Sequence, residues 1–196
     1  VQFVGDVHAD MVALLTHHEL PKTAGHKLRV AAEAKRLAHQ FGVNPGQAEV
    51  AGWLHDVSAV FPSHRRLEIA EAMAVTVLPE EQAFPMIVHQ KLSLVLALDL
   101  FGVRDEATLS AIGCHTTLRA KATPLDKVVF VADKIAWDQE GEPPYLAELL
   151  RAVVQSLDRA ALCYLSYLWR QRDRVPVVHA WMADAYHQLS AAAQYS

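Results

Sequence analysis

The stretch 44–56, NPGQAEVAGWLHD, indicates how the chain folds. Asn44 is a typical helix N-cap and Pro45 suits the first helical position, so a helix is predicted to start here and to run up to His55. Neighbouring side chains point about 100° apart on a regular helix. His55 and Asp56 can therefore face one ion only if the backbone turns at the helix end. The pair alone is ambiguous, because a histidine also caps helix C-termini and an aspartate also starts turns.

The same helix signals recur on both sides of this stretch. Asp6, Thr23, Asp105 and Thr123 are candidate N-caps, and Gly42 is a candidate C-cap. Helices are predicted over about 7–19, 23–41, 45–54, 63–74, 86–101, 106–115, 124–135, 145–172 and 177–193. The chain shows no sustained alternation of the kind that strands require. The predicted fold class is all-α.

The composition is that of an ordinary globular domain, with 52% hydrophobic and 20% charged residues among 196. The formal net charge is −4 and no basic stripe occurs, so no nucleic-acid partner is expected. Cys114 and Cys163 lack CxxC spacing, and the chain has neither a long uncharged apolar run nor a secretion signal. We therefore expect a cytoplasmic protein without membrane contact.

Asp133 follows the apolar run 128–132, so its carboxylate is expected to be buried. Burying an unpaired carboxylate is costly. Either a metal ion or an ion pair with Lys127 or Lys134 would offset that cost, and the sequence leaves both interpretations open.

Three further histidines, His26, His89 and His115, lie at the edges of apolar helix faces. Each alone is typical of a core or capping histidine. Together with Asp133 and the pair at 55–56, they place imidazoles and carboxylates on five helices or helix ends. Such a set can surround one ion, or an ion and a phosphate. Imidazole and carboxylate donors without thiolates suit Fe, Mn, Zn, Co or Ni rather than Ca or Mg.

The order His…His-Asp…Asp, with two histidines before the last aspartate, resembles the HD-domain superfamily of metal-dependent phosphohydrolases. The segments AGWLHD (51–56), IVHQK (87–91), AIGCHTT (111–117) and LDKVVFVADKI (125–135) are similar to the bacterial branch containing symmetrical diadenosine-tetraphosphate hydrolases. The resemblance runs from about 23 to 138 and implies an HD-domain helical bundle with C-terminal helices appended.

Carried over position by position, the resemblance implies a cofactor site and a substrate site. The implied metal ligands are His26, His55, Asp56 and Asp133. The implied catalytic residues are Asp56, His89 and His115. The two histidines are expected to contact either phosphate or a second metal. If they contact phosphate, their rings would be protonated. The expected substrate contacts are His89, His115, Thr116 and Arg119. The expected cofactor is a divalent transition metal, iron first, with manganese or zinc as alternatives.

Two departures from that branch bear on the substrate. The branch often has a lysine in the loop after the HD pair, whereas this chain has VSAV at 57–60. It also often has Ile-Glu and an arginine after the last aspartate, whereas Ile135 is followed by Ala136 and Trp137. Loss of these charges would weaken phosphate binding or alter substrate choice.

The expected function is metal-dependent hydrolysis of a nucleotide phosphoanhydride, with a dinucleoside tetraphosphate cut symmetrically into two nucleoside diphosphates. The alternatives are another HD phosphatase or phosphodiesterase acting on nucleotides, and a non-catalytic metal-dependent nucleotide sensor. The predicted division is an N-terminal helix (1–22), the HD domain (23–138) and a helical extension packed on it (139–196). Tyr164, Tyr167, Leu168 and Trp169 form an apolar face for this domain or for a second subunit, so a homodimer stays open.

Overall fold

The computed structural model describes residues 1–137 and 139–194. Over these residues the chain forms eleven α-helices, three short 3-10 helices and no strand, which confirms the all-α prediction. The α-helices are α1 (Val7–His17), α2 (Pro21–Phe41), α3 (Pro45–Leu54), α4 (Arg66–Ala72), α5 (Pro79–Ala83), α6 (His89–Asp99), α7 (Glu106–Cys114), α8 (Pro124–Ile135), α9 (Leu146–Gln155), α10 (Leu157–Arg170) and α11 (Ala180–Ala193). The 3-10 helices are Val57–Val60, Ser63–Arg65 and Pro85–Val88. None of the described helices combines the length and the apolar composition that crossing a bilayer requires.

Most helix boundaries lie where the capping residues predict them. The side chains of Asp6, Asn44, Asp105 and Thr123 each accept a hydrogen bond from a backbone amide of the helix that follows. Gly42 ends α2 in the left-handed conformation, with φ 67°. Local capping chemistry therefore accounts for these boundaries.

Several boundary predictions are wrong, and α5 lies in a segment for which no helix was predicted. The helix predicted over 63–74 is a 3-10 helix followed by α4, and the last helix begins at Ala180 rather than 177. Helix α2 begins at Pro21 rather than after Thr23, because proline suits the first helical position even though Leu20 offers no side-chain cap. The long helix predicted up to about 172 is two helices. Ser156 has an extended backbone that ends α9, and its side chain caps α10 by accepting a hydrogen bond from the Arg159 backbone amide. The helix predicted from 86 begins instead as the 3-10 helix before His89.

Nine of the described helices, all except α4 and α5, contribute buried residues to one continuous hydrophobic core, in which α2 packs most extensively against α3 and α8; Ala70 of α4 belongs to a smaller core with Val88 and Leu92. The C-terminal helices contact the same core: the rings of Phe130 on α8 and Tyr164 on α10 lie 5.6 Å apart. Buried Glu81 holds the start of α11, with His179 Nε2 3.3 Å and Lys91 Nζ 2.7 Å from its carboxylate oxygens. The three-part domain division stays a prediction, and its boundary residue Asp138 lies outside the described residues.

Gly52 allows α3 to approach α2 closely. A Cβ at this position would lie 2.5 Å from the Ala31 Cα and 2.8 Å from the Ala31 backbone nitrogen, so no larger residue fits without moving a helix. The close approach brings the rings of His26 on α2 and His55 at the end of α3 to 5.5 Å. The spacing of two predicted ligands thus depends on this one glycine.

We expect Gly52→Ala to lower the free energy of unfolding by about 2 kcal/mol, because overpacking outweighs the gain of about 1 kcal/mol in helix propensity. Metal affinity should fall as well, since α3 carries His55. Gly46→Ala is the matched control on the same helix, where the added Cβ would meet only the Asn44 side chain, at 3.4 Å. Urea denaturation of both variants measures the effect; equal stability of the two would contradict this account of the packing.

Candidate metal centre

The HD pair lies where α3 ends. His55 keeps helical angles, with φ −52° and ψ −34°, whereas Asp56 leaves the helix at φ −121° and ψ 22°. The turn brings the two side chains to one side, so that His55 Nε2 and Asp56 Oδ2 are 4.0 Å apart. The local geometry therefore lets adjacent residues face one point.

Three imidazoles are anchored in the same way. In each, Nδ1 contacts the backbone carbonyl oxygen three residues earlier, which fixes the ring. The pairs are His55 with Gly52 at 2.8 Å, His89 with Met86 at 2.5 Å, and His115 with Ile112 at 2.8 Å. A carbonyl oxygen only accepts, so Nδ1 carries the proton and the neutral ring directs the lone pair of Nε2 towards the cluster. This second contact of the ring is typical of histidines that bind metals.

The ring nitrogens converge on two carboxylates. Asp133 Oδ1 lies 3.3 Å from His26 Nε2 and 3.5 Å from His55 Nε2. Asp56 Oδ1 lies 3.2 Å from His89 Nε2 and 3.8 Å from His115 Nε2. Three overlapping sets of ligand atoms, each within 4.8 Å of one another, result: His26 with His55 and Asp56; His55 with His115 and Asp133; and Asp56 with His89 and His115.

The donor atoms fit a cation. His89 Nε2 and His115 Nε2 are 3.1 Å apart, although both rings already carry their proton on Nδ1. The Thr116 hydroxyl lies 2.9 Å from the first and 3.0 Å from the second, and it can donate to only one of them. His55 Nε2 is buried without a hydrogen-bond partner. Lone pairs that face one another in a buried site are satisfied by a divalent ion, so the residues present suit a metal.

The surroundings of Asp133 are consistent with both roles that the sequence leaves open, an ion pair with a lysine and a metal ligand. Its Oδ2 pairs with Lys134 Nζ at 2.5 Å while its Oδ1 faces the imidazoles of His26 and His55. Burial would raise the pKa of the Asp133 carboxyl, but Lys134 and these imidazoles hold that pKa well below its usual range. The alternative prediction, an ion pair between Asp133 and Lys127, is wrong, because Lys127 Nζ lies 2.5 Å from an oxygen of Asp158. One carboxylate therefore has one oxygen for an ion pair and one for a ligand.

The ionisation of the other groups also suits metal binding. Burial would raise the pKa of Asp56, but Lys27 and the surrounding histidines hold it far below its usual range. Burial lowers the pKa of His89, and burial with the neighbouring imidazoles lowers the pKa of His115 well below 6.5. These directions favour neutral imidazoles, which can bind a metal, over the protonated rings that would neutralise phosphate.

A cavity of about 280 Å³ opens over the cluster. Six residues that the sequence predicted for the site line this cavity: His26, Asp56, His89, His115, Thr116 and Asp133. The other lining residues are Met86, Lys134, Trp137, Gln139, Tyr145 and Tyr164. Arg119 is not among them: its guanidinium hydrogen-bonds Ser110 and lies 3.7 Å from Asp126. The structure does not bring Arg119 to the substrate side of the cluster.

Two cations at this cavity were missed by sequence reasoning. Lys134 Nζ lies 5.4 Å from the centre of the Tyr164 ring, and Asp133 raises the lysine pKa against the effect of burial, so it stays an ammonium. Arg66 on α4 does not line the cavity but contacts one of its lining residues, with Nη1 3.2 Å from Met86 Sδ. Burial lowers the pKa of Arg66 and the Asp56 carboxylate opposes that shift. Lys134 was considered only as an ion-pair partner, and Arg66 carries no motif signal in the sequence.

Comparison with known proteins adds to this geometry. The family model described as HD domain matches residues 23–138. A protein in the pepC 5′ region of Lactococcus lactis subsp. cremoris is 44% identical over 147 residues, covering 75% of this chain and 74% of that protein. The symmetrical bis(5′-nucleosyl)-tetraphosphatase of Bacillus subtilis is 34% identical over 151 residues, covering 73% and 77%. A crystal structure of a predicted HD superfamily hydrolase involved in NAD metabolism from Clostridium acetobutylicum has a TM-score of 0.85 and 25% identity, covering 94% and 97%.

We expect His26→Ala and His55→Ala each to weaken transition-metal binding by more than about 100-fold, because loss of outer contacts alone costs 10–100-fold. His39→Ala is the matched control, an exposed histidine on the same helix as His26. Calorimetric titration of chelator-treated protein measures the affinity, and circular dichroism verifies the helical fold. Stoichiometric metal in either folded cluster variant would remove that histidine from the ligand set.

Proposed function

Since this chain belongs to the HD-domain family of hydrolases, we propose that it cleaves a phosphoanhydride bond of a nucleotide in a metal-dependent reaction. The observation that carries the proposal is the convergence of four imidazoles and two carboxylates from five helices or helix ends, where three of the imidazoles and both carboxylates line one cavity and buried His55 lies behind them. The substrate we expect first is a dinucleoside tetraphosphate, cut into two nucleoside diphosphates. The name of the Bacillus subtilis relative supports this choice.

The ligands proposed for the ion are His26, His55, Asp56 and Asp133. His55 belongs both to the set of ligand atoms that contains His26 and Asp56 and to the set that contains Asp133. A divalent transition metal held there would polarise a phosphoryl oxygen and lower the pKa of water. Iron is our first expectation because the donors are imidazoles and carboxylates, and manganese or zinc would suit the same donors.

His89 and His115 favour a second ion over direct contact with phosphate. Each ring donates its Nδ1–H to a backbone carbonyl, so Nε2 of the neutral ring has only a lone pair to offer. A lone pair repels a phosphate oxygen but binds a cation, and Asp56 Oδ1 lies 3.2 Å from the nearer ring nitrogen. We therefore propose that His89, His115 and Asp56 form a second ligand group beside the first.

Asp56 is the proposed catalytic carboxylate. It contributes atoms to two of the ligand groups, so an oxygen of Asp56 can accept a hydrogen bond from the attacking water and orient it. Thr116 Oγ1, hydrogen-bonded at the rings of His89 and His115, can donate to a phosphate oxygen once ions occupy those rings.

Cations from other elements compensate for the lysine and arginine that the related branch often carries. The Lys134 ammonium lines the cavity beside Asp133, and the Arg66 guanidinium contacts the lining residue Met86. Both can neutralise charge on the phosphate chain. Their presence favours turnover over the alternative of a non-catalytic nucleotide sensor.

The walls of the cavity suit a nucleoside. Trp137, Tyr145 and Tyr164 provide aromatic faces beside the cluster, and nucleobases stack on such faces. This supports a small-molecule nucleotide as the substrate. A homodimer and the absence of nucleic-acid partners stay predictions.

We expect protein loaded with iron or manganese to convert diadenosine tetraphosphate to two molecules of ADP, measured by chromatography of the products. Asp56→Asn should lower kcat by about 100-fold or more, because it removes a charged ligand shared by two groups and even the loss of outer contacts of a metal site costs 10–100-fold. Asp99→Asn is the control, a carboxylate at the end of α6 outside the cavity. Release of orthophosphate from a nucleoside monophosphate, or opening of a cyclic nucleotide, would establish the alternative HD activity instead. Tight nucleotide binding without turnover would establish the sensor.

A further inference from the structure

A second cavity, of about 430 Å³, adjoins the metal centre. Its lining residues are Lys22, Thr23, Gly25, His26, Arg29, Asp56 and Ala59. Two of them, His26 and Asp56, also line the cavity over the metal cluster. A molecule held at these two ligands can therefore extend into both cavities.

The second cavity is basic. Lys22 and Arg29 contribute two cations, and within the described residues neither lies within ion-pair distance of a carboxylate. Asp56 is the one acidic residue among the lining residues, and it faces the metal cluster. Gly25 keeps the wall free of a side chain: the site of its missing Cβ lies 3.8 Å from Arg29 Nη1. The chemistry of this cavity suits a multiply charged anion.

The two cavities differ in the chemistry of their walls, and each suits a different part of a long substrate. One has aromatic walls, and the other has two cations and no aromatic side chain among its lining residues. A symmetrical cut requires the central phosphoanhydride bond at the metal cluster, with one nucleoside diphosphate on each side. The aromatic cavity suits a base, and the basic cavity suits the phosphates of the opposite half.

We propose that Lys22 and Arg29 bind the phosphates of the second nucleoside diphosphate half of the substrate. The proposal rests on the proposed function and adds a specificity determinant to it. Since the two cations lie outside both ligand groups, they act on substrate affinity and not on the metal. They also explain how the site would prefer a polyphosphate with two nucleosides over a mononucleotide, which would fill only the aromatic cavity.

The test compares Lys22→Gln/Arg29→Gln with Lys35→Gln/Arg36→Gln. The control pair removes the same charge from the same helix, at exposed ion pairs with Glu49 and Glu33 outside both cavities. For metal-loaded protein acting on diadenosine tetraphosphate, we expect the first variant to raise KM about tenfold with kcat within about twofold, since hydrogen bonds to charged groups of this kind carry enough free energy. The control should change neither value by more than about twofold.

Calorimetric titration with inorganic tripolyphosphate separates this proposal from the proposed function. Its affinity should fall about tenfold in Lys22→Gln/Arg29→Gln and stay unchanged in the control variant. If wild-type protein does not cleave the tetraphosphate, the proposed function fails, and the titration alone decides whether the cavity binds polyphosphate. If wild type cleaves it and the first variant keeps the wild-type KM and tripolyphosphate affinity, the basic cavity is not a substrate site.

Discussion

The removal of four imidazoles and two carboxylates from water is the constraint on which the rest of this structure depends. Desolvating ionised groups costs several kcal/mol each unless nearby partners compensate. Lys134 compensates one oxygen of Asp133, and backbone carbonyls satisfy Nδ1 of three rings. The remaining lone pairs and negative charge point at one small region. A cation satisfies them, so metal binding and stability of the helical core are coupled.

Helix ends provide the hydrogen-bond partners that stabilise this arrangement. The last turn of a helix leaves carbonyl oxygens without an intrahelical partner. His55 and His115 follow the last residues of α3 and α7, and each ring contacts a carbonyl of that turn. One contact thus satisfies an orphan acceptor, fixes the tautomer and aims Nε2 inward. The close approach at Gly52 then sets the distance between α3 and the helix that carries His26.

The walls around the cluster come from parts of the chain distant in sequence. Tyr145 and Tyr164 from the C-terminal helices supply the aromatic side, and the first turns of α2 supply the basic side. The metal ligands lie between these surfaces, where bond cleavage would occur. The HD family provides the centre, and Lys134 and Arg29 add positive charge to the two cavities beside it.

The sequence by itself determined the all-α class, most helix boundaries, the family and the residues that meet at the cluster. Caps such as Asp105 and the order of His55, Asp56 and Asp133 are local or ordered signals, which a single chain displays directly. The break at Ser156 and the start of α2 at Pro21 were misjudged because a serine within an apolar helical pattern and a proline before a candidate cap each allow more than one helix boundary. Tertiary structure alone placed Arg119 on Asp126 and Lys134 beside the cluster, and lowered the pKa values of His89 and His115. Burial and pairing are properties of packed neighbours, and no spacing along the chain encodes them.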